Sequence, residues 1–116
     1  MIPKAIEDIL EIAFGSRLPS LKSDRALCFE FTASKNWKER FGAIELLERH
    51  WELDRDILSG VCEKHLLEDE NGHVRKLSMS ILARLWEGTE NRRFSQVIAR
   101  VALENQQDAE FIRTAY

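Results

Sequence analysis

Residues 69 to 86 read Asp-Glu-Asn-Gly-His-Val-Arg-Lys-Leu-Ser-Met-Ser-Ile-Leu-Ala-Arg-Leu-Trp. From Val74 the apolar or small residues fall at Leu77, Ser78, Ile81, Leu82 and Leu85, a stripe with the 3.6-residue period of a helix. Asn71 stands where an N-cap belongs, and Gly88 stands where a left-handed residue closes a helix. The spacing predicts a helix from about 72 to 87.

Working outward, the same pattern recurs on both sides. On the N-terminal side, Asn36 and Glu39 have the spacing of a capping box, and residues 37 to 51 carry Trp37, Phe41, Ala43, Ile44, Leu46, Leu47 and Trp51. Asp54 precedes a stripe of Ile57, Leu58, Val61, Cys62, His65 and Leu66, interrupted by Gly60, which reads as a point of close helix packing. On the C-terminal side, Asn91 precedes a helix expected to turn Phe94, Ile98, Ala99, Ala102 and Leu103 inward, and Asp108 opens a last short one over 109–116. Near the N-terminus, Pro3 suits a first turn, Ile6, Ile9, Leu10, Ala13 and Phe14 share one face, and Gly15 ends the helix. Residues 16 to 22 read as a link around Pro19, followed by a helix from Ser23 to about Ala33 that buries Ala26, Leu27 and Phe31; Cys28, Phe29 and Phe31 fit a short strand equally. Elsewhere no alternation of strand and turn competes. The expected class is all-α, with six to seven helices.

The totals agree. A chain of 116 residues, 44% apolar and 32% charged, is one domain of ordinary size with a core to bury. Its formal charge of −3 argues against nonspecific nucleic-acid binding, which needs many cationic contacts to phosphates. Cys28 and Cys62 both fall in apolar helical patterns and are expected as buried free thiols. No run of about 18 apolar residues suggests a membrane span. The acids Glu7 and Asp8 interrupt what a signal peptide would need, so the expected location is the cytoplasm.

The helices repeat. Arg40, Ala43, Leu46, Leu47 and His50 lie on Arg75, Ser78, Ile81, Leu82 and Leu85 at an offset of 35 residues, and Arg113 and Tyr116 continue the series at a slightly longer one. The intervening stripe of Ile57, Leu58, Val61, Cys62, His65 and Leu66 lies on Phe94, Ser95, Ile98, Ala99, Ala102 and Leu103. Helix pairs at a period of roughly 35 to 45 residues are the mark of an α-solenoid.

The stretch Asn71-Gly72-His73-Val74-Arg75, followed by Ser78, Ile81, Leu82 and Leu85, resembles the second helix of a HEAT repeat. The resemblance covers about residues 36 to 116 and departs from the pattern in the first copy, where Glu39 stands for Val74 and His50 for Leu85. It implies an α-α superhelix in one domain over 1–116, with capping helices over 1–35 and repeats over 36–116. It further implies that an acid before each second helix pairs with the arginine at its start: Asp69 or Glu70 with Arg75, and Asp108 with Arg113.

Chemistry is poorly represented. Cys62 and His65, three apart, have the spacing of a metal-ligand pair, yet no second pair lies nearby and the repeat puts alanines at the equivalent positions. His50 and His73 have no serine or cysteine at a nucleophile's spacing, and the glycines form no phosphate-binding loop. No catalytic residue, metal or cofactor is expected. Some HEAT-like proteins are nucleic-acid enzymes, but that role requires a basic concave surface.

If, as the resemblance implies, the second helices line the binding side, their outward positions are Phe41, Glu45, Glu48, Arg49 and Glu52 in one copy and Lys76, Ser80, Ala83, Arg84 and Glu87 in the next. Glu45, Glu48 and Glu52 form an acidic line on one helix face. Trp51 at the helix end is a candidate anchor, since tryptophan is enriched at interface hot spots. The expected partner-binding set is Phe41, Glu45, Glu48, Arg49, Trp51, Glu52, Arg84 and Glu87. It suits a basic protein, and small acidic cytoplasmic binders of this size include bacterial immunity proteins, which block toxin domains such as basic nucleases. The expected partner is therefore a basic toxin domain bound one-to-one by a monomer, with neither nucleic acid nor membrane involved. A regulatory adaptor, or a fragment of a longer HEAT scaffold, is the alternative.

Overall fold

Pro3 fixes the entry to the first helix, α1 (Lys4–Phe14), and Gly15, at φ +55°, closes it with its N–H on the carbonyl of Glu11. The computed structural model describes residues 2–88 and 91–104, and these form α-helices and turns with no strand among them. The protein is all-α. The helix expected over 109–116, with Asp108, Arg113 and Tyr116, lies outside the described residues. Contacts group the chain into two compact units, Met1–Asp54 and Arg55–Tyr116.

The first unit departs from the expected link around Pro19. After a short 3-10 turn (Gly15–Arg17), residues Leu18–Ser23 form α2, with Pro19 in its first turn and Leu18 and Leu21 buried. Proline is tolerated there because the first N–H groups of a helix have no intrahelical acceptor in any case. The next helix, α3 (Arg25–Phe31), is capped by Asp24, whose carboxylate accepts from the N–H of Leu27 at 3.2 Å, rather than starting at Ser23. It buries Cys28 and leaves Ala26 exposed.

The fourth helix, α4 (Trp37–Arg49), packs against both α1 and α3. Two contacts between distant segments hold its first two turns. Arg17 donates to the carbonyls of Ala13 and Phe14 at the end of α1, and also to the carboxylate of Glu39. Gly42 lies against the ring of Phe14, so close that a Cβ there would come within 2.7 Å of Cε2.

The capping box at Asn36 is relayed rather than direct. Asn36 accepts from the N–H of Lys38 at 3.0 Å, but Glu39 does not reach back to the N–H of Asn36. The hydroxyl of Ser34 stands between them, accepting from that N–H at 3.1 Å and donating to Glu39 at 2.6 Å. The Ser34 hydroxyl, and after it Arg17, hold the Glu39 carboxyl below the usual carboxylate range. The folded state thus binds this proton less readily than the unfolded chain. Its stabilisation is complete above the ordinary value of 4.5 and is lost as pH falls through the lower folded value. Glu39→Gln is expected to lower stability at neutral pH by about 1–2 kcal/mol and to lose less as pH falls below the carboxylate range. Urea midpoints measured across that range check this; equal acid slopes for the two proteins would contradict it.

In the second unit, α5 (Arg55–Glu68) and α6 (Gly72–Leu85) form a helical hairpin, and α7 (Arg92–Glu104) packs on α5. Asn71 caps α6 by accepting from the N–H groups of His73 and Val74, and Gly88 takes the left-handed conformation at φ +74°. Val74, Leu77, Ser78, Ile81 and Leu82 are buried as expected; Met79 joins them and widens the stripe. Ser78 is wholly buried, and its hydroxyl has no hydrogen-bond partner among the described residues. In α7 the inward face is Val97, Ile98 and Val101, with Phe94 half-buried, whereas Ala99 and Leu103 are exposed. The face is rotated from the expected one because Val97 and Val101 offer more apolar surface than the alanines assigned to it.

The two units share an internal geometry that the offset of 35 anticipates only in part. Arg40 donates through Nη1 to the carbonyl of Ser34 at 2.9 Å, and Arg75 donates through Nη1 to the carbonyl of Asp69 at 2.9 Å. The side chains of Ser34 and Asp69 accept from the N–H of Asn36 and of Asn71. At the far end, Trp51 donates its indole N–H to Cys28 Sγ on α3, and Trp86 donates its own to Ser59 Oγ on α5. Each second helix is thus clamped at its start by an arginine of its own first turn that reaches back to a carbonyl of the preceding turn, and is fastened at its end to its own partner helix. The expected side-chain pairing of Asp69 with Arg75 is replaced by the backbone contact; the Asp69 carboxylate is engaged by His65 and Asn71.

Candidate partner-binding surface

The expected acidic line does not form a surface. Seven residues of α4, among them Arg40 and Gly42 through Leu47, are buried, so that helix is covered on most of its circumference. Glu45 is only 5% exposed and accepts from Arg49 Nε at 2.9 Å; Glu48 is largely covered and lies 3.6 Å from the same nitrogen. An outward reading of Glu45 fails because its helix is packed on several sides, where a one-sided stripe was assumed. Phe41 is half-buried and meets Trp37 edge-on at 6.3 Å between centroids. Trp51 is half-buried, bonded to Cys28, and edge-on to His50 at 5.1 Å. Arg84 and Glu87 are exposed at the end of α6 and in the following turn, in the second unit.

Glu52 is the member of the line that reaches solvent. It adopts a left-handed conformation at φ +48°, unusual for a residue with a Cβ, just beyond the end of α4. There it borders an open cleft of about 780 Å³ in the first unit, together with Arg49, His50 and the α1 residues Lys4, Glu7, Asp8 and Glu11. His50, expected at a core position, is exposed instead, and its Nε2 meets the carbonyl of Lys22 at 2.8 Å. Lys22 in turn pairs with Glu7. The two contacts tie the end of α2 to α4 and to α1, and so fix the walls of the cleft. A neighbouring hollow of about 700 Å³ shares Glu7, Glu11 and Lys22 and extends toward Leu18 and Pro19.

Arg49 is occupied by Glu45 and Glu48, and Lys22 by Glu7. Among the described residues this leaves the carboxylates of Asp8, Glu11 and Glu52, and the ammonium of Lys4, without an ion-pair partner. The cleft therefore presents a net negative field in a concave setting, which concentrates cations. In the sequence, Glu7 and Asp8 weigh only against a signal peptide. The signal was nevertheless present: Lys4, Glu7, Asp8 and Glu11 recur at helical spacing and form the polar face of α1. Beside that face, Ile12 is 72% exposed and Ile9 partly so.

Both cysteines are buried, and neither forms a disulfide. Burial pushes the Cys28 thiol above its ordinary value despite the hydrogen bond from Trp51, so Cys28 is held as the unreactive thiol. His65, buried on α5, is bound through Nδ1 to Asp69 at 2.9 Å, and Cys62 is buried on the same helix. Among the described residues no group of three or more His, Cys, Asp or Glu side chains is placed to hold a metal, and no helix is long and apolar enough to cross a membrane.

No known family model matches the sequence, and comparison with curated proteins and with solved structures finds no significant match.

Proposed function

We propose that this chain is a non-catalytic, HEAT-like binding module that docks a basic protein through the cleft of its first unit. In its most concrete form it is a cytoplasmic bacterial immunity protein that neutralises a basic, nuclease-like toxin domain, one partner per chain. The observation that carries the reading is the cleft itself, where Asp8, Glu11 and Glu52 have no ion-pair partner among the described residues and stand on a wall fixed by paired residues. Complementary charge speeds encounter and disfavours wrong partners, which suits an inhibitor that must capture a toxin quickly. The repeated hairpin, with its arginine clamp and tryptophan fastening, supports the HEAT-like part.

The test is co-purification with the product of the neighbouring gene, at low and high salt, using the natural chain and an Asp8→Lys, Glu11→Lys, Glu52→Lys variant. All three positions are exposed, so the variant is expected to fold. A single basic partner, released by salt and bound at least tenfold more weakly by the variant, is the expected result. Unchanged affinity would rule out the acidic cleft. The exposed Ile9 and Ile12 favour one other reading, a regulatory adaptor that uses an apolar face; partners held equally well at high salt would support it.

A further inference from the structure

The acidic cleft of the first unit runs on into the neighbouring hollow, and the two differ in chemistry. Glu7, paired with Lys22, and Glu11 line both, so the hollows meet along α1 over a shared sill. On one side of the sill stand Asp8 and Glu52, exposed and with no ion-pair partner among the described residues. On the other, Leu18 and Pro19 form an apolar wall. Gly15 adds bare backbone there, where a Cβ would meet nothing within 4 Å, and the hydroxyls of Ser16 and Ser23 complete that end. From Lys4 to Gly15, at about 1.5 Å per residue, the combined groove runs about 17 Å along α1.

These features select what fits. An extended chain rises about 3.3 Å per residue, so about five residues fill the groove, and about three cover the 10 Å or so from Asp8 to Gly15. A helix brings backbone groups already bonded to one another, whereas an extended segment brings free N–H and C=O groups for the two serines. Ser23 donates to the carbonyl of Ser20 and still has lone pairs to offer. We propose that the groove takes an extended basic segment of the partner, with one apolar side chain in the hollow beside Pro19 and, about three residues away, a lysine or arginine between Asp8, Glu11 and Glu52. The proposal rests on the reading of the acidic cleft as the docking site and adds the form of the docked element. The acids attract the segment and the hollow sets its register: a cation alone slides along a row of carboxylates, whereas a buried side chain fits one place. Lys4, one helical turn before Asp8, disfavours a longer run of cations.

Titration of the full chain with end-blocked pentapeptides, followed by amide chemical shifts, tests this. The probes are Leu-Ser-Ser-Arg-Ser and its reverse, Ser-Arg-Ser-Ser-Leu, each with a control in which serine replaces leucine. One leucine peptide is expected to bind with a dissociation constant below about 1 mM, at least about tenfold tighter than its control, because the leucine side chain leaves water. Shifts are expected at Asp8, Glu11 and Glu52 with both peptides, and at Ser16 and Leu18 with the leucine peptide alone. Asp8→Asn is expected to weaken peptide and control alike, about threefold, and so to keep their ratio. Pro19→Glu, an exposed change that puts a carboxylate into the apolar wall, is expected to bring the ratio near one. Equal affinity for peptide and control overturns the inference and leaves the acidic docking site standing. Leucine-dependent shifts at Ile9 and Ile12 in place of the hollow overturn it in favour of the apolar face. Failure of every peptide to bind up to about 5 mM also overturns it, and co-purification of the folded partner then decides on the cleft separately.

Discussion

Replacing Gly42 by alanine is expected to destabilise the protein by about 2–3 kcal/mol, the cost of forcing an extra carbon into a filled site. At an ordinary helical position the same change is favourable, by roughly 0.5–1 kcal/mol, because alanine loses less backbone entropy on folding. The sign reverses because the new Cβ would come within 2.7 Å of Phe14 Cε2 and 3.4 Å of Leu10 Cδ2. The ring of Phe14 has little freedom to give way. It is buried, sits edge-on against Phe31 at 5.3 Å between centroids, and has the Arg17 guanidinium nearby. Moving it would disturb the contact between α1 and α4 and the Arg17 bonds that cross it. Thermal melts of Gly42→Ala and Gly60→Ala at low protein concentration make the comparison directly, since one glycine is packed against and the other faces open space. Equal stabilisation by both would show that α1 can shift away from α4 without loss.

The contrast between these glycines shows what could be read from the chain. Both interrupt a helical stripe, and only Gly60 attracted a packing explanation, yet the close approach is at Gly42. Glycine's spacing in a sequence says that a side chain is missing, not what lies opposite; that depends on Phe14, which is 28 residues earlier. Features that depend on near neighbours were legible. Asn36, Asn71 and Asn91 accept from backbone N–H groups at the starts of α4, α6 and α7, Gly15 and Gly88 are left-handed, and the stripe from Val74 to Leu82 is buried. The short helix α2 was missed because Pro19 reads as a break, although a first turn accepts it. The acidic surface was legible as charge and misplaced in space. Reading α4 as half-exposed put Glu45 and Glu48 outside, whereas packing on several sides turns them toward Arg49 and leaves the display of carboxylates to α1 and Glu52.

Asp69→Ala is expected to cost about 3 kcal/mol, roughly the sum of two hydrogen bonds to a charged acceptor. The Asp69 side chain is 3% exposed. One oxygen accepts from His65 Nδ1 on α5 and the other from the N–H of Asn71, the residue that caps α6, both at 2.9 Å. Removing the carboxylate leaves a buried imidazole donor and a backbone donor without those acceptors, and loosens the turn that sets the two helices of the hairpin. Asp69→Ser is expected to recover about half of the loss, because the equivalent Ser34 serves the N–H of Asn36 through a hydroxyl. Asp69→Asn separates this account from the one implied by HEAT-like sequences, in which the acid's charge pairs with the arginine. Here Arg75 binds the backbone carbonyl of residue 69, a contact that any side chain at that position preserves. Urea unfolding of the three variants checks the ranking. If Asn were as damaging as Ala, the charge of Asp69 would matter more than its role as an acceptor for Asn71. If Ser were as stable as the natural chain, the bond to His65 would contribute nothing, and the hairpin would be set by the clamp at Arg75 and the tryptophan fastening alone.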